Sequence, residues 1–147
     1  MTDDVTVRPL RVPDRSEWAA LWRGYLAFYR AELTDDVTEH TWAALTDPAA
    51  PVHGLVAVAG GRVVGLAHVV LHATTWATRS TCYLEDLYVD RGVRGAGLGR
   101  ALITAVYAFA DEHEASGVYW LTQEYNAPAR SLYDTVAHRS SFVVYQR

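Results

Sequence analysis

The spacing of apolar positions along this chain changes period several times, and each change marks an element. Residues 6–10 alternate and carry Pro9 near their end, which predicts a short strand at a sheet edge. Trp18, Leu21, Trp22, Tyr25, Leu26 and Tyr29 recur at helical spacing. Asp14 and Glu17 just before them have the D-x-x-E form of a capped helix start. Residues 33–37 read as a link, 38–45 as a shorter helix, and Pro48 and Pro51 break the chain. Strand-like runs at 52–59 and 62–71 flank Gly60-Gly61, a tight hairpin signal. After a polar loop at 73–79, residues 83–89 form the next strand. Leu98, Leu102, Ala105, Val106 and Phe109 then return to helical spacing. Residues 118–122 predict another strand. Asn126 and Pro128 open a helix that carries Tyr133, and residues 142–145 predict a last strand. The order β-α-α-β-β-β-α-β-α-β implies an α+β fold with three layers, α/β/α. Its sheet is mostly antiparallel, with one parallel β-α-β crossover.

The joint between residues 83–89 and the following helix holds the densest chemical signal. Between Val89 and Leu98 the chain has Arg91, Gly92, Arg94, Gly95 and Gly97, and Gly99-Arg100 follow. A glycine-rich loop entering a helix aims free backbone N–H groups and the positive end of the helix dipole at one point, which suits a phosphate. A plain strand–turn–helix joint would also use glycine. A Walker loop requires lysine, which the chain lacks altogether, and Gly95-Ala96-Gly97-Leu98-Gly99 does not complete a dinucleotide fingerprint.

Composition narrows the class. The 147 residues are 50% hydrophobic and 20% charged, as expected for one globular domain spanning 1–147. No apolar run reaches membrane-spanning length, and the acidic start lacks a signal-peptide pattern. Cys82 has no cysteine to pair with and reads as a small buried hydrophobe, so a reducing cytoplasm is the expected compartment. The net charge of −4 argues against nucleic acid and mildly favours a cationic acceptor. The six histidines show no metal-ligand spacing, so no metal is predicted.

The segment Arg94-Gly95-Ala96-Gly97-Leu98-Gly99, R-x-x-G-x-G after a strand and before a helix, resembles the acyl-coenzyme A loop of the GCN5-related N-acetyltransferase (GNAT) superfamily. Asn126-x-x-Ala129-Arg130-x-Leu132-Tyr133 resembles that family's second block, and the element order agrees over about residues 5–145. The resemblance implies a GNAT fold of six or seven strands with acetyl-CoA as cosubstrate. The backbone from Arg94 through Gly95, Ala96, Gly97, Leu98 and Gly99 to Arg100 would hold the pyrophosphate. Leu87, Tyr88 and Val89 would meet the pantetheine arm, with the Leu87 N–H polarising the thioester, and Asn126 would contact that arm or order the loop. Tyr133 would protonate the leaving thiolate. Leu84-Glu85-Asp86 resembles the diamine acetyltransferases and the histone- and protein-acetyltransferase-like branch; in the diamine enzymes the glutamate is a water-mediated base. Residues 134–142 depart from the family by lacking the glycine-phenylalanine pair common after the tyrosine. The fold analogy also allows a homodimer.

The acceptor chemistry requires a base. An alkylammonium with a pKa of about 10.4 is the free amine in only about one molecule in 10³ near neutral pH, a penalty of roughly 4 kcal/mol. Strand alternation puts Tyr83, Glu85 and Leu87 on one face and Leu84, Asp86 and Tyr88 on the other. Glu85 is taken as the base, and Asp86 either contacts a substrate cation or only braces the loop. Tyr25, Tyr29, Trp76 and Glu124 are further acceptor-side candidates, with His68 and His72 beside them. Two readings stand: an N-acetyltransferase for a small amine, polyamine, amino acid or protein lysine, or a non-catalytic acyl-CoA-binding module.

Overall fold

The computed structural model describes residues 4–93 and 95–147, so Arg94, expected to charge the glycine loop, lies outside the described residues. The elements are β1 (Val5–Pro9), α1 (Arg15–Phe28), α2 (Asp35–Leu45), β2 (Val52–Ala59), β3 (Arg62–His72), β4 (Thr81–Val89), α3 (Leu98–Glu112), β5 (Val118–Tyr119) and α4 (Ala127–Val136). Single 3-10 turns at Val12–Asp14 and Arg91–Val93 precede α1 and the glycine loop. The sheet is five-stranded in the order β1-β2-β3-β4-β5, antiparallel from β1 to β4 and parallel between β4 and β5. β1 lies at an edge, and Gly60 and Gly61 turn the β2–β3 hairpin with φ of 58° and 76°. Left-handed backbone at both central residues is what a two-residue hairpin turn of this kind requires.

Two cores cover the two faces. On one, Leu98, Leu102, Ile103 and Val106 of α3 pack against Ala67, Val69, Cys82 and Leu84. On the other, Trp18, Leu21 and Trp22 of α1 and Trp42 and Leu45 of α2 pack against Val56, Leu66 and Tyr88. Cys82 is fully buried, and burial pushes its thiol up to about 11, which makes it inert as a nucleophile. No helix is long and apolar enough to cross a membrane among the described residues.

Several expectations are corrected. Among the described residues the sheet has five strands rather than six or seven. β5 stops at Tyr119 instead of continuing to 122, and residues 142–145 form no strand. The latter have strong β-propensity, but a strand needs a ladder partner and these residues have none among the described residues. α2 begins at Asp35, three residues early, with Asp35 and Asp36 placed favourably at its positive end. Asp14 does not cap α1. Its buried carboxylate instead accepts two hydrogen bonds from Arg8, each 2.8 Å, and one from the Arg11 N–H at 2.8 Å. Glu17 accepts from the Val63 N–H at 2.8 Å, which ties α1 to the start of β3.

The alternation expected along β4 also fails at one residue. Asp86 pairs with His68 and Leu84 with Val69, so Glu85 is an extra residue, a β-bulge. Cys82 and Leu84 therefore face α3, and so do Leu87 and Val89, while Tyr88 enters the α1 side.

Candidate active site

The bulge decides what β4 offers its open edge. β5 pairs only with Cys82 and Tyr83, so the rest of β4 has no strand beside it on that side among the described residues. The Cys82 N–H points toward β5 and bonds Gly117 O, whereas the Asp90 N–H points to β3 and bonds Val64 O. Counting back from Asp90, alternation turns the Leu87 N–H toward the open edge. Counting forward from Cys82 without the bulge would turn it into the sheet. The extra residue thus presents a main-chain donor where β4 and the chain after β5 diverge.

A cleft of about 400 Å³ opens at that divergence. Its walls include Glu85 and Leu87 of β4, Trp120 and Gln123 beyond β5, Tyr133 of α4, and Tyr25 and Tyr29 of α1. Glu85 is exposed to the cleft. Partial burial first, then the adjacent Asp86 charge, raise its pKa above the ordinary carboxylate value, with His68 opposing. A base poised upward in this way accepts protons more readily near neutral pH. Tyr133 packs edge-on against Trp120 with ring centroids 5.4 Å apart. Burial pushes its phenol up to about 12, so it remains a proton donor across the neutral range.

Beneath the cleft runs a buried network. The Trp18 Nε1–H donates to His68 Nε2 at 3.0 Å, which leaves the ring proton on Nδ1 to donate to Asp86 Oδ2 at 2.9 Å. His68 is 2% exposed. Tyr25 lies close to Asp86, and burial followed by that carboxylate's charge pushes its phenol up. Tyr25 also packs on Tyr29 and Trp22, at 4.9 and 5.3 Å between ring centroids. Asp86 therefore spends its acceptor capacity largely inside the protein, and its contribution to the cleft is mainly charge.

Above the cleft, the N-terminus of α3 is uncapped by any side chain. Its N-cap residue Gly97 has φ 77° and Gly95 has φ 92°, and a Cβ built on either meets nothing within 4 Å. The first intrahelical bond is that of the Ala101 N–H to Gly97 O, which leaves the N–H groups of Leu98, Gly99 and Arg100 for another acceptor. Gly99 matters for packing instead, because a Cβ there would approach Leu132 Cδ2 to 3.1 Å, so glycine lets α4 close on α3. Arg100 donates to Thr135 Oγ1 at 2.8 Å across the same joint.

The other expected site residues are spread unevenly. Asn126 caps α4, accepting from the Ala129 N–H at 3.4 Å. The Leu98 and Tyr88 side chains are buried in the two cores, so neither side chain is open to a ligand. Val89 and Ala96 flank the loop. Trp76 is 94% exposed on the 73–79 loop and does not line the cleft, nor does Glu124, whose carbonyl accepts from Arg130 at 2.7 Å. His72 bonds the Tyr119 hydroxyl at 2.9 Å. Trp120, Leu121 and Thr122, which read as strand, and Gln123 just beyond them are cleft lining that their own residue types do not signal. The parallel crossover was the available signal, since parallel neighbours that diverge leave a cleft at their carboxyl ends. Among the described residues no cluster of three or more His, Cys, Asp or Glu side chains is placed to hold a metal ion.

The sequence profile of the acetyltransferase (GNAT) family matches residues 17–137. The chain belongs to that family. It is 35% identical over 149 aligned residues to the D-amino-acid N-acetyltransferase HPA3 of Saccharomyces cerevisiae, covering 100% of this chain and 92% of the yeast protein. Solved structures share the fold. A ribosomal-protein-alanine N-acetyltransferase from Brucella melitensis superposes with a TM-score of 0.77 at 23% identity, over 98% of both chains. The aminoglycoside N-acetyltransferase AAC(6')-Iy, solved with CoA, superposes with a TM-score of 0.84 at 16% identity, over 100% of this chain and 96% of that one. As a GNAT protein the chain is an acyltransferase with acetyl-CoA as cosubstrate, which closes the purely sensory reading. Its residues fit that cosubstrate. The glycine loop runs into the bare α3 N-terminus, whose main-chain N–H groups suit an anion, and Glu85 and Tyr133 line one cleft.

Proposed function

We propose that this acetyltransferase passes the acetyl group directly to the primary amine of a small acceptor, using Glu85 as base and Tyr133 as acid. The observation that carries this reading is that both side chains border one cleft on an edge of β4 to which the Leu87 N–H also turns. Acetyl-CoA supplies the activated acyl thioester. The main-chain N–H groups of residues 95–100 would hold its diphosphate, and Asn126 would keep α4 in register beside it. Glu85, directly or through water, takes the ammonium proton. The Leu87 N–H steadies negative charge developing on the thioester oxygen. Tyr133 returns a proton to the departing sulfur. Both reactants held in one cleft supply much of the rate through positioning, and no covalent enzyme intermediate is required.

The acceptor is narrowed from two sides. The carboxylates of Glu85 and Asp86 and the faces of Tyr25 and Tyr29 favour a cation over a neutral ligand. The yeast relative is named for D-amino acids, which puts amino acids first among the candidates and polyamines second. Among the described cleft residues no arginine is present to grip an amino acid's carboxylate. Tyr29, Thr122 and Gln123 would meet it as neutral donors instead. The test follows thiol release from acetyl-CoA with D-amino acids, L-amino acids, polyamines and a lysine-bearing peptide. We expect turnover with a D-amino acid at a kcat/KM at least tenfold above the peptide. Turnover with the peptide alone would sink the small-acceptor reading.

A further inference from the structure

The Glu85 bulge brings two carboxylates together. Leu84 and Leu87 both turn to the α3 core, so the two residues between them both turn to the α1 side. Regular alternation would have sent Glu85 and Asp86 to opposite faces. Glu85 lines the cleft, whereas Asp86, 15% accessible, accepts from His68 Nδ1 at 2.9 Å beneath it. A carboxylate against an imidazole is ordinarily an ion pair whose charges cancel. Here the far side of the ring decides otherwise. The Trp18 indole can only donate, and its N–H reaches His68 Nε2 at 3.0 Å. The nitrogen that accepts it carries no proton of its own, so the ring holds one proton, on Nδ1, and is neutral. Trp18 is itself held in place, 1% exposed, with its ring 6.0 Å from that of Trp22 and 5.0 Å from that of Trp42.

The proton count of His68 governs the local field. Asp86 faces His68 on β3, Tyr25 and Tyr29 on α1, and Tyr83 on its own strand. Glu85 faces Asp86 and Tyr83 on β4, His68 on β3, Tyr25 on α1 and Tyr119 on β5. Among these described residues His68 is the only basic group, and the tyrosines are neutral near pH 7. An imidazolium would cancel much of the Asp86 charge felt at Glu85, and a neutral ring leaves it whole.

We propose that Trp18 and His68 are positioning residues for Glu85: the indole N–H keeps the imidazole neutral, and Asp86 is left as an uncancelled charge that makes Glu85 a stronger proton acceptor. The directions agree. Partial burial and then the Asp86 charge raise the Glu85 pKa, and His68 lowers it, which the ring does only in the protonated form that Trp18 denies it. The consequence for rate rests on the reading of Glu85 as base; the consequence for its titration does not.

The test reads Glu85 directly. Carbon-13 NMR of the glutamate-labelled full chain, with the Glu85 signal assigned by its loss in Glu85→Gln, gives the titration midpoint. Asp86→Asn should lower it by about one pH unit. Trp18→Phe opens Nε2 to a second proton and should lower it by about half as much or more. His68→Gln has no proton to gain and can make both hydrogen bonds, so its midpoint should stay within about 0.2 units of the parent. The Trp18→Phe/His68→Gln double variant should return to the parent value. A packing role alone would move Trp18→Phe and His68→Gln alike. Nitrogen-15 NMR of His68 in the unaltered protein depends on no variant's folding: at pH 7 one bare and one protonated ring nitrogen are expected. Two protonated nitrogens would overturn the proposal. So would a midpoint unmoved in Asp86→Asn, or equal shifts in Trp18→Phe and His68→Gln. The acid limb of kcat/KM should follow the midpoint to lower pH in Asp86→Asn. A limb that stays while the midpoint moves would exclude Glu85 as the base and leave the control of its titration standing.

Discussion

Replacing His68 with leucine removes the hub that joins α1 to β4 beneath the cleft. Two losses follow. The Trp18 indole N–H, in a side chain 1% exposed, is left without an acceptor, a cost of about 1–3 kcal/mol for a buried donor. The Asp86 carboxylate, 15% accessible, loses a donor at 2.9 Å, and bonds to charged groups contribute about 1.5–3 kcal/mol. Leucine's apolar contacts offset part of this, so the net loss is about 2–5 kcal/mol. For a chain of 147 residues, at about 3 °C per kcal/mol, Tm should fall by roughly 6–15 °C. Differential scanning calorimetry at neutral pH measures it. His68→Gln, whose amide can accept from Trp18 and donate to Asp86, should recover half or more of the loss. The Trp18→Phe/His68→Leu double variant should cost at least about 1 kcal/mol less than the sum of the single variants, because the orphaned N–H is gone. A leucine variant melting within about 2 °C of the parent would refute the reasoning, as would a glutamine variant no better than leucine.

Four shorter predictions address other sites. Asp14→Asn should cost about 2–4 kcal/mol at neutral pH, because the two-bond pair with Arg8 and the Arg11 N–H both rely on the carboxylate. The hydrogen bonds from Arg8, first among the causes, hold its pKa below the usual range. The pair's stabilisation is therefore present above the unfolded-state pKa and lost as pH falls through the folded one, so urea melts of parent and variant should converge in acid. Glu85 has the opposite sign: its raised pKa favours the folded protein below the unfolded-state value and ceases to as pH rises through the folded one. Glu85→Gln should thus lower kcat/KM and remove the acid limb of its pH profile while raising Tm at neutral pH, and an unchanged profile would exclude it as the base. Tyr133→Phe should reduce kcat by about 10²-fold with little change in KM for acetyl-CoA; equal rates would remove it as the acid. Gly97→Ala must hold φ 77° with a Cβ, costing about 1–2 kcal/mol, and calorimetric titration should show CoA binding weakened well beyond that stability loss.

The features legible in the sequence were those whose cause is local. Gly95 and Gly97 stand where left-handed backbone is required, and the chain signals this by omitting side chains. Asn126 and Pro128 mark the start of α4 because capping needs only neighbouring residues. The aromatic stripe of α1 was visible, and Tyr25 and Tyr29 do border the cleft. What stayed hidden depends on pairing. Nothing in Leu84-Glu85-Asp86 marks Glu85 as the unpaired residue, because a bulge is set by register with β3. Asp14 with Glu17 imitates a helix cap, yet Arg8, outside that local pattern but close in space, claims the carboxylate. Residues 142–145 have the propensity of a strand, and propensity cannot say whether an edge is waiting.

The Glu85 bulge has a consequence for how this enzyme can change. The residue proposed to take the proton is also the one that shifts the phase of everything after it on β4. Deleting it, or adding one residue beside it, would exchange the faces of Leu87, Tyr88 and Val89. Tyr88 would be thrust toward α3, and aliphatic side chains toward the tryptophans of α1. Substitution at this position is therefore a question of chemistry, whereas any change of length is a question of folding. The proposed base is thereby mechanically locked to the sheet. Variation in acceptor choice is left to surfaces that carry no phase, such as the α1 tyrosines and the extended chain beyond β5.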